Sequence, residues 1–334
     1  MTLKIVHFMR RPSPGAFSIE RLFADLRAAA PQDCEISVHT CENPSKGILP
    51  RVQDMWRARA HQGDVNHVTG DVHYLTFLMN PARTVLTIHD LVMLRRLRGL
   101  KRFILWLLWY WLPVRRAAEV VVISEAIRAE LLQAVRCDPE KVRVIHNAVS
   151  DEFQPVPYVF NAARPRILQM GVTWNKNIER VAEALAGLGC QLVVVGRLSD
   201  DQQAALARFG IDVESHVGLS REALVEVYAS CDLLLFASVY EGFGLPIVEA
   251  QAVGRPVVTS NIHSMPEVAG GGGCLVDPLD TASIRAGVLR VLSDAAYRED
   301  LVARGFENVR DFRSDRMAER YAAVYRRLAG VAAS

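Results

Sequence analysis

The feature that most constrains this chain is a short apolar run followed by a glycine-rich turn that carries two glutamates. The run Asp232–Phe236 is typical of a buried parallel strand. Pro246 favours the first turn of a helix, and Gly254 with Pro256 would end that helix. The next strand begins at Val257–Thr259. This order of elements predicts an open α/β sheet, which binds ligands at the carboxyl ends of its strands.

The turn 241–249 combines features that suit a phosphorylated ligand. Gly242 and Gly244 allow the backbone to approach a ligand closely, and the start of a helix directs free N–H groups at an anion. Glu249, which we expect in the first helical turn, has two carboxylate oxygens that can hold a vicinal diol such as a ribose. Glu241 lies in the loop, nearer to a group carried beyond a diphosphate. A capped helix with a glycine-rich start and no ligand is the alternative.

The full string Glu-Gly-Phe-Gly-Leu-Pro-x-x-Glu closely resembles the donor-site motif of family 4 glycosyltransferases, which are retaining enzymes of the GT-B architecture. The resemblance implies an α/β fold with two Rossmann-like domains, a cleft between them and a C-terminal helix that crosses back to the first domain. It also implies a nucleotide diphosphate sugar as donor and a catalytic role for Glu241. The donor-binding residues that it implies in this turn are Gly242, Phe243, Gly244, Leu245 and Glu249.

The length of the chain predicts more than one domain. A chain of 334 residues exceeds the usual size of a single hydrophobic core. A proline-punctuated connector at 154–165 separates two regions with strand patterns and indicates a hinge. We therefore predict an acceptor-binding domain at 1–155, a donor-binding domain at 156–312 and a returning helix at 313–334.

The resemblance implies further donor contacts outside the glutamate turn. Lys176 stands just before a predicted helix and would neutralise the diphosphate together with the helix start, with help from Arg197. Gly171 belongs to the same strand end as Lys176. Val217 lies in a segment that holds the nucleobase through backbone hydrogen bonds, and Gly15 is the expected contact from the first domain. A surface lysine and an ordinary βα turn at Gly15 are the alternatives.

Candidate acceptor contacts lie in the first half of the chain. The strand pattern Thr84–Ile88 delivers His89 to a carboxyl end, where an imidazole can hydrogen-bond a sugar hydroxyl. This pattern resembles the active-site histidine of the family, which implies a catalytic role for His89. Asp71 and His73 follow the strand pattern Val65–Val68 and are candidate acceptor contacts. An isolated histidine is more often structural, and that alternative stays open.

The segment 94–116 combines seven Lys/Arg, no acidic residue and an unbroken apolar block at Phe103–Leu112. The block is about half of the roughly 20 residues that span a bilayer, so we do not expect a transmembrane helix. Tryptophans flanked by cations suit the headgroup region of an anionic membrane. We expect the segment to attach the protein to that surface, which favours a lipid-linked glycan as acceptor. A buried helix with solvated arginines at its ends is the alternative.

Composition and motifs argue against several other classes. The six cysteines are scattered without a C-x-x-C pair, which argues against a cysteine zinc site and for a reducing compartment. The first strand pattern starts at the amino terminus and leaves no room for a signal peptide, so we expect a cytoplasmic protein, peripheral on the inner face of the cytoplasmic membrane. Because the basic patch at 95–116 is local, we expect no nucleic-acid partner.

The cofactor prediction rests on the absence of a metal motif. The sequence contains no aspartate-x-aspartate pair, and the resemblance implies a metal-independent enzyme that needs no cofactor. The favoured prediction is thus a retaining transferase of a hexose-type sugar. A GT-B phosphorylase or epimerase and a non-catalytic nucleotide-sugar-binding protein remain alternatives. An NAD enzyme is disfavoured because Gly196–Asp200 lacks the second and third glycines of G-x-G-x-x-G.

Overall fold

The computed structural model describes residues 2–12 and 18–331, which form two compact units. The first unit runs through Ala148 and resumes at Ser314, and the second unit is Val149–Arg313. Each unit has one six-stranded parallel sheet. This confirms the predicted α/β class with two Rossmann-like domains. The connector 154–165, where the sequence placed the hinge, lies inside the second unit.

The inner strands of the first unit's sheet are largely buried, as expected for parallel strands with both faces covered, whereas the edge strand Cys34–Thr40 is mostly exposed or half-buried. The strands of this sheet are β1 (Leu3–Met9), β2 (Cys34–Thr40), β3 (Val65–Val68), β4 (Thr84–Ile88), β5 (Glu119–Val122) and β6 (Val142–Val144). They pair in the order β2-β1-β3-β4-β5-β6. The carboxyl ends of β3 and β4 therefore lie side by side, and the loops that follow them are neighbours.

Helices follow most strands of this unit. They are α1 (Ser18–Ala28), α2 (Ile48–Ala60), α3 (Val92–Arg96), α4 (Gly99–Leu105), α5 (Leu112–Arg116) and α6 (Glu125–Val135). A π-helical segment, Trp106–Trp111, joins α4 to α5. Ser124 caps α6, because its hydroxyl accepts a hydrogen bond from the Ile127 backbone N–H.

The second unit repeats this plan of a parallel sheet with helices between its strands. Its strands are β7 (Arg166–Met170), β8 (Gln191–Val195), β9 (Asp212–His216), β10 (Leu233–Phe236), β11 (Val257–Ser260) and β12 (Gly273–Val276), in the order β12-β11-β10-β7-β8-β9. Its helices are α7 (Ile178–Leu185), α8 (Asp200–Arg208), α9 (Arg221–Ser230), α10 (Leu245–Val253), α11 (Met265–Ala269), α12 (Thr281–Ser293) and α13 (Ala295–Val309).

The last helix, α14 (Ser314–Leu328), belongs to the first unit, as predicted for a returning helix. The buried hydroxyl of Tyr325 lies 3.1 Å from His7 Nε2 and 2.7 Å from His67 Nδ1. The other ring nitrogen of His67 lies 2.7 Å from the Thr87 hydroxyl. Burial lowers the pKa of His67 to about 3, so its ring is neutral. A polar network inside an apolar core thus ties α14 to β1, β3 and β4.

Candidate active site

The glutamate turn joins β10 to α10, as the sequence predicts. Gly244 has φ +107, a conformation that side-chain-bearing residues rarely adopt, and a Cβ there would lie 3.1 Å from Ile247 Cδ1. The Ser264 hydroxyl donates to the carbonyl oxygens of Glu241 (3.0 Å) and Phe243 (2.7 Å). The ring of Phe243 is buried against Phe312, with ring centroids 5.8 Å apart. These contacts hold the turn in place without a ligand. Because the Phe243 ring is buried, only its backbone can contact a sugar-nucleotide donor.

Lys176 and Glu241 meet although 65 positions separate them in the chain. Lys176 Nζ lies 2.6 Å from Glu241 Oε1, and the two side chains are 14% and 15% exposed. The Asn175 amide donates to the same oxygen at 3.0 Å. The ammonium also lies 4.3 Å from the centroid of the Phe236 ring, within cation–π range. Low exposure strengthens this charge pair compared with a pair on the surface.

Two backbone positions put Lys176 in place. Gly171 has φ +80, a conformation that favours glycine, and a Cβ there would lie 2.9 Å from Lys176 Cε and would displace the end of the lysine side chain. Asn177 has φ +59 at the start of α7, and its amide donates to the carbonyl oxygens of Ala237 (3.1 Å) and Pro278 (2.7 Å). Lys176 therefore stands just before α7, as predicted.

The predicted placement of Glu249 in the first helical turn is wrong. Because α10 begins at Leu245, Glu249 is the fifth residue of that helix, and its first turn contains no acidic residue. The Tyr228 hydroxyl donates to Glu249 Oε2 at 2.5 Å. Burial raises the pKa of Glu249, which this hydrogen bond and the charges of Arg221 and Lys176 oppose. Only Oε1 has no partner among the described residues, so the carboxylate presents one oxygen to a ligand instead of two.

The remaining predicted donor contacts lie at the ends of β8 and β9. These strands are in register, with Val195 opposite His216, so Arg197 and Val217 follow the same edge of the sheet. Both side chains are exposed. Gly15, the predicted contact from the first unit, falls outside the described residues.

In the first unit, His89 directly follows the carboxyl end of β4, as predicted. His89 Nε2 lies 2.7 Å from the carbonyl oxygen of Thr69. A carbonyl only accepts, so Nε2 must carry the proton, which leaves Nδ1 as an acceptor. Burial lowers the pKa of His89, which favours this neutral form. A Cβ at Gly70 would lie 2.7 Å from His89 Cδ2, so the ring fits only because position 70 is a glycine.

Asp71 and His73 occupy different environments. Asp71 is half exposed, has φ +51 and forms an ion pair with Arg10. His73 is buried, and its Nδ1 lies 2.6 Å from the Trp109 carbonyl oxygen, so it must donate to that oxygen. Burial lowers the pKa of His73 to about 4. His73 therefore supports the π-helical segment through its donating nitrogen, which is a structural role.

A cavity of ≈ 610 Å³ in the first unit brings the two acceptor candidates together with His89. Asp71, His73 and His89 lie in its wall beside Asp90, whose pKa burial raises. Apolar side chains of α3, α4 and the π-helical segment form much of the rest of the wall. The sequence indicated the polar residues of this cavity but gave no sign that they share it with 93–110.

The tryptophans of 94–116 do not form an exposed membrane-facing row. Trp106 Nε1 donates to the Ala134 carbonyl oxygen at 2.9 Å, and the Trp109 ring lies 4.6 Å beneath the Arg51 guanidinium. All three tryptophans of the block are half-buried. The exposed apolar side chains of this segment are instead Leu100, Phe103, Ile104 and Leu108. The basic and apolar surface exists, but aliphatic residues and one phenylalanine provide its apolar part.

Two other kinds of feature are absent from the described residues. Within 2–12 and 18–331, no group of three His, Cys, Asp or Glu side chains is arranged to hold a metal ion. Over the same residues, no helix has the length and apolar character needed to cross a bilayer.

Comparison with solved structures defines the class of fold. A sucrose-phosphate synthase from Thermosynechococcus elongatus superposes with a TM-score of 0.79 at 18% identity, covering 98% of this chain and 99% of that one. Anabaena HepE, solved in complex with UDP and glucose, superposes with a TM-score of 0.77 at 16% identity, covering 96% and 99%. With its two parallel-sheet units, this chain has the GT-B fold.

Two glycosyltransferase family models match the two halves of the chain. Residues 164–294 match the family described as "Glycosyl transferases group 1", and residues 24–153 match "Glycosyltransferase Family 4". These two matches confirm the resemblance read from the glutamate turn.

Curated relatives match parts of this chain. The O-antigen chain mannosyltransferase B of Escherichia coli is 45% identical over 91 residues, which cover 27% of this chain and 24% of the relative. The serotype-specific mannosyltransferase WbdA of Escherichia coli is 28% identical over 254 residues, covering 67% and 31%. The O-antigen chain mannosyltransferase RfbU of Salmonella typhimurium is 28% identical over 224 residues, covering 62% of each. The chain thus spans a quarter to a third of the first two relatives.

Proposed function

We propose that the protein is a retaining glycosyltransferase that moves a hexose-type sugar from a nucleotide diphosphate sugar to a hydroxyl of a lipid-linked glycan. The single observation that carries this proposal is the contact between Lys176 and Glu241, 2.6 Å apart beside the start of α10. A cation, a carboxylate and a helix start at one point suit a diphosphate that carries a sugar.

In the proposed reaction, Lys176 and the helix starts stabilise the negative charge that grows on the leaving diphosphate. The glycosidic carbon–oxygen bond to the diphosphate breaks while the acceptor oxygen bonds to the same face of the sugar carbon. A leaving phosphate oxygen takes the proton of the acceptor hydroxyl. Arrival of the diphosphate draws Lys176 away from Glu241, which frees Glu241 to hydrogen-bond the transferred sugar. This use of a lysine in place of a divalent ion makes the proposed enzyme independent of metal and of any cofactor.

Glu249 binds the nucleoside part of the donor, and His89 binds a sugar. Glu249 Oε1 accepts a hydrogen bond from a ribose hydroxyl, and the Tyr228 hydroxyl holds the carboxylate in position. His89 Nδ1 accepts a hydrogen bond from a sugar hydroxyl. Gly171, Gly242, Gly244 and Leu245 shape the backbone around the diphosphate. Arg197 helps Lys176 to neutralise the diphosphate, and the backbone at Val217 holds the nucleobase.

The identity of the hexose and of the acceptor is a finer proposal. Because the relatives described above are named as mannosyltransferases, and two of them as O-antigen chain enzymes, mannose is the first hexose to test. The basic, apolar surface of 94–116 supports a lipid-linked acceptor at an anionic membrane, with the protein peripheral on its cytoplasmic side. Each Lys or Arg near such a surface contributes about 1 kcal/mol.

Turnover of sugar nucleotides tests the proposed function. The protein is incubated with UDP-, GDP-, ADP- and dTDP-sugars, and release of the nucleoside diphosphate is measured with and without a lipid-linked glycan fraction. We expect release with one nucleotide class and stimulation by the acceptor fraction. A protein that binds a nucleotide but never releases a diphosphate would be a binding protein, and the enzyme proposal would be abandoned.

A further inference from the structure

The cavity of the first unit is lined by two chemically different sets of residues. The polar set includes Asp71, a candidate acceptor contact, and His89, for which the resemblance implies a catalytic role. An apolar wall is formed by Met93, Leu97, Ile104, Leu105, Leu108 and Trp109, and the basic residues Arg51 and Lys101 also line the cavity. A sugar alone would leave that apolar wall unused, because sugar hydroxyls need polar partners.

The apolar wall is open to solvent, unlike a core. Met93, Ile104 and Leu108 are 47%, 47% and 39% exposed although they line the cavity. At ≈ 610 Å³, the space falls within the range of small-molecule sites, about 300–1,000 Å³. All its lining residues belong to the first unit, so a ligand can bind there without the second unit.

We propose that this cavity binds the apolar chain of the acceptor itself, next to the sugar whose hydroxyl is glycosylated. The inference rests on the proposed function, because it takes His89 as the group that meets the acceptor sugar. The chain lies along α4 and the π-helical segment, and the sugar lies at Asp71 and His89. Because one cavity holds both, only a short saccharide separates the reactive hydroxyl from the lipid.

This geometry indicates the stage of glycan assembly at which the reaction takes place. The enzyme acts on a lipid that carries one or two sugars, and not on the distant end of a long polymer. The preceding reaction must therefore be one that attaches a first sugar to a lipid. The product is a slightly longer lipid-linked saccharide, which a chain-extending transferase can use.

Binding of n-alkyl glucosides tests the inference without a membrane and without a donor. The full chain is titrated calorimetrically with a series from butyl to nonyl glucoside, each kept below the concentration at which it forms micelles. Burial of one methylene corresponds to about a fourfold gain in affinity. We expect Kd to fall by about that factor per methylene until the cavity is filled.

Two neighbouring positions of α4 provide matched variants. Ile104 lines the cavity, whereas Leu100 lies outside it, 72% exposed on the same helix. Ile104→Gln should weaken octyl glucoside binding about tenfold or more and flatten the dependence on chain length, because it places an amide against the chain. Leu100→Gln should leave both unchanged. Leu108→Gln repeats the test on the π-helical segment and decides the matter if Ile104→Gln does not fold.

The possible results separate this inference from the proposed function. Equal Kd values across the wild-type series would overturn the cavity assignment. An equal loss in Leu100→Gln and Ile104→Gln would also overturn it, because it would mean that the outer surface binds the chain. Because the titration contains no sugar nucleotide, alkyl binding in a protein without turnover would contradict the enzyme proposal while leaving the apolar site in place.

Discussion

Removal of the Tyr228 hydroxyl is the most specific single change to the proposed donor site. The hydroxyl donates to Glu249 Oε2 at 2.5 Å, while the ring packs edge-on against Phe153 with centroids 5.4 Å apart. Tyr228→Phe keeps the ring and removes only the hydrogen bond. A hydrogen bond to a charged group is worth about 1.5–3 kcal/mol. Since Tyr228 acts through Glu249, we expect the lower end, a loss of about tenfold in nucleotide affinity.

The change should also alter the pH dependence of nucleotide binding. The hydrogen bond from Tyr228 lowers the pKa of Glu249 against the larger effect of burial, which raises it. Without the hydroxyl the pKa rises further. Since the carboxylate is the form that accepts from a ribose hydroxyl, affinity decreases as pH falls through this pKa. The variant should therefore lose affinity at a higher pH than the wild type.

Isothermal titration with the preferred nucleoside diphosphate between pH 5.5 and 8.5 measures both effects. Tyr158→Phe is the control, because its hydroxyl makes only a 3.5 Å contact with the Asp232 carbonyl oxygen in the same unit. Equal Kd values for Tyr228→Phe and the wild type at every pH would refute the idea that this hydroxyl positions Glu249.

Three further predictions concern the two glutamates of the turn, the buried histidines and the segment 94–116. Glu241→Ala should mainly lower kcat, and Glu249→Ala should mainly weaken nucleotide binding; steady-state kinetics and titration check this, and small equal effects would make the pair structural. Tyr325→Phe should lower the free energy of unfolding by about 1–3 kcal/mol, because it leaves buried ring nitrogens of His7 and His67 without their partner; an unchanged denaturation midpoint would contradict this. Anionic liposomes should sediment the protein at low salt more than neutral ones, and replacing the exposed Leu100 and Phe103 with Ser should reduce the salt-resistant part; no sedimentation of folded protein would refute membrane attachment.

The buried histidines add an expected dependence of stability on pH. Burial lowers the pKa of His67 to about 3, from an ordinary value near 6.5, so the unfolded chain binds the proton first as pH falls. Stability is complete above about pH 6.5 and decreases toward pH 3, by up to about 1.4 kcal/mol per pH unit for this group. Thermal denaturation at pH 7 and pH 5 measures the change, and a midpoint that does not fall would contradict it.

The strands and the glutamate turn were predictable because the sequence patterns that define them are local. The apolar run before Glu241, Pro246 at the helix start and Gly254 after the helix end each act within a few residues. The start of the helix was not predictable to one residue, so Glu249 was placed in the first turn although it is the fifth residue of α10. Nothing near Tyr228 in the sequence shows that its hydroxyl reaches Glu249, 21 positions away, because tertiary packing alone makes that contact.

The segment 94–116 shows a second limit of prediction from local sequence patterns. Its composition correctly indicated exposed apolar and basic residues. It did not show which side chains of the apolar block would pack against other parts of the unit. Trp106 and Trp109 are engaged by Ala134 and Arg51, whose positions depend on α6 and α2. A pattern of aromatic residues therefore identified the surface but not the side chains that form it.

Whether Lys176 binds the diphosphate of a sugar nucleotide is tested most directly by comparing two ligands on one variant. Wild-type protein and Lys176→Ala are titrated with the preferred nucleoside diphosphate and with the corresponding free nucleoside. Loss of the cation should weaken diphosphate binding by about 1.5–3 kcal/mol, or about 10- to 150-fold, and leave the nucleoside Kd unchanged. An equal loss for both ligands, or no loss for the diphosphate, would contradict the assignment of the donor site.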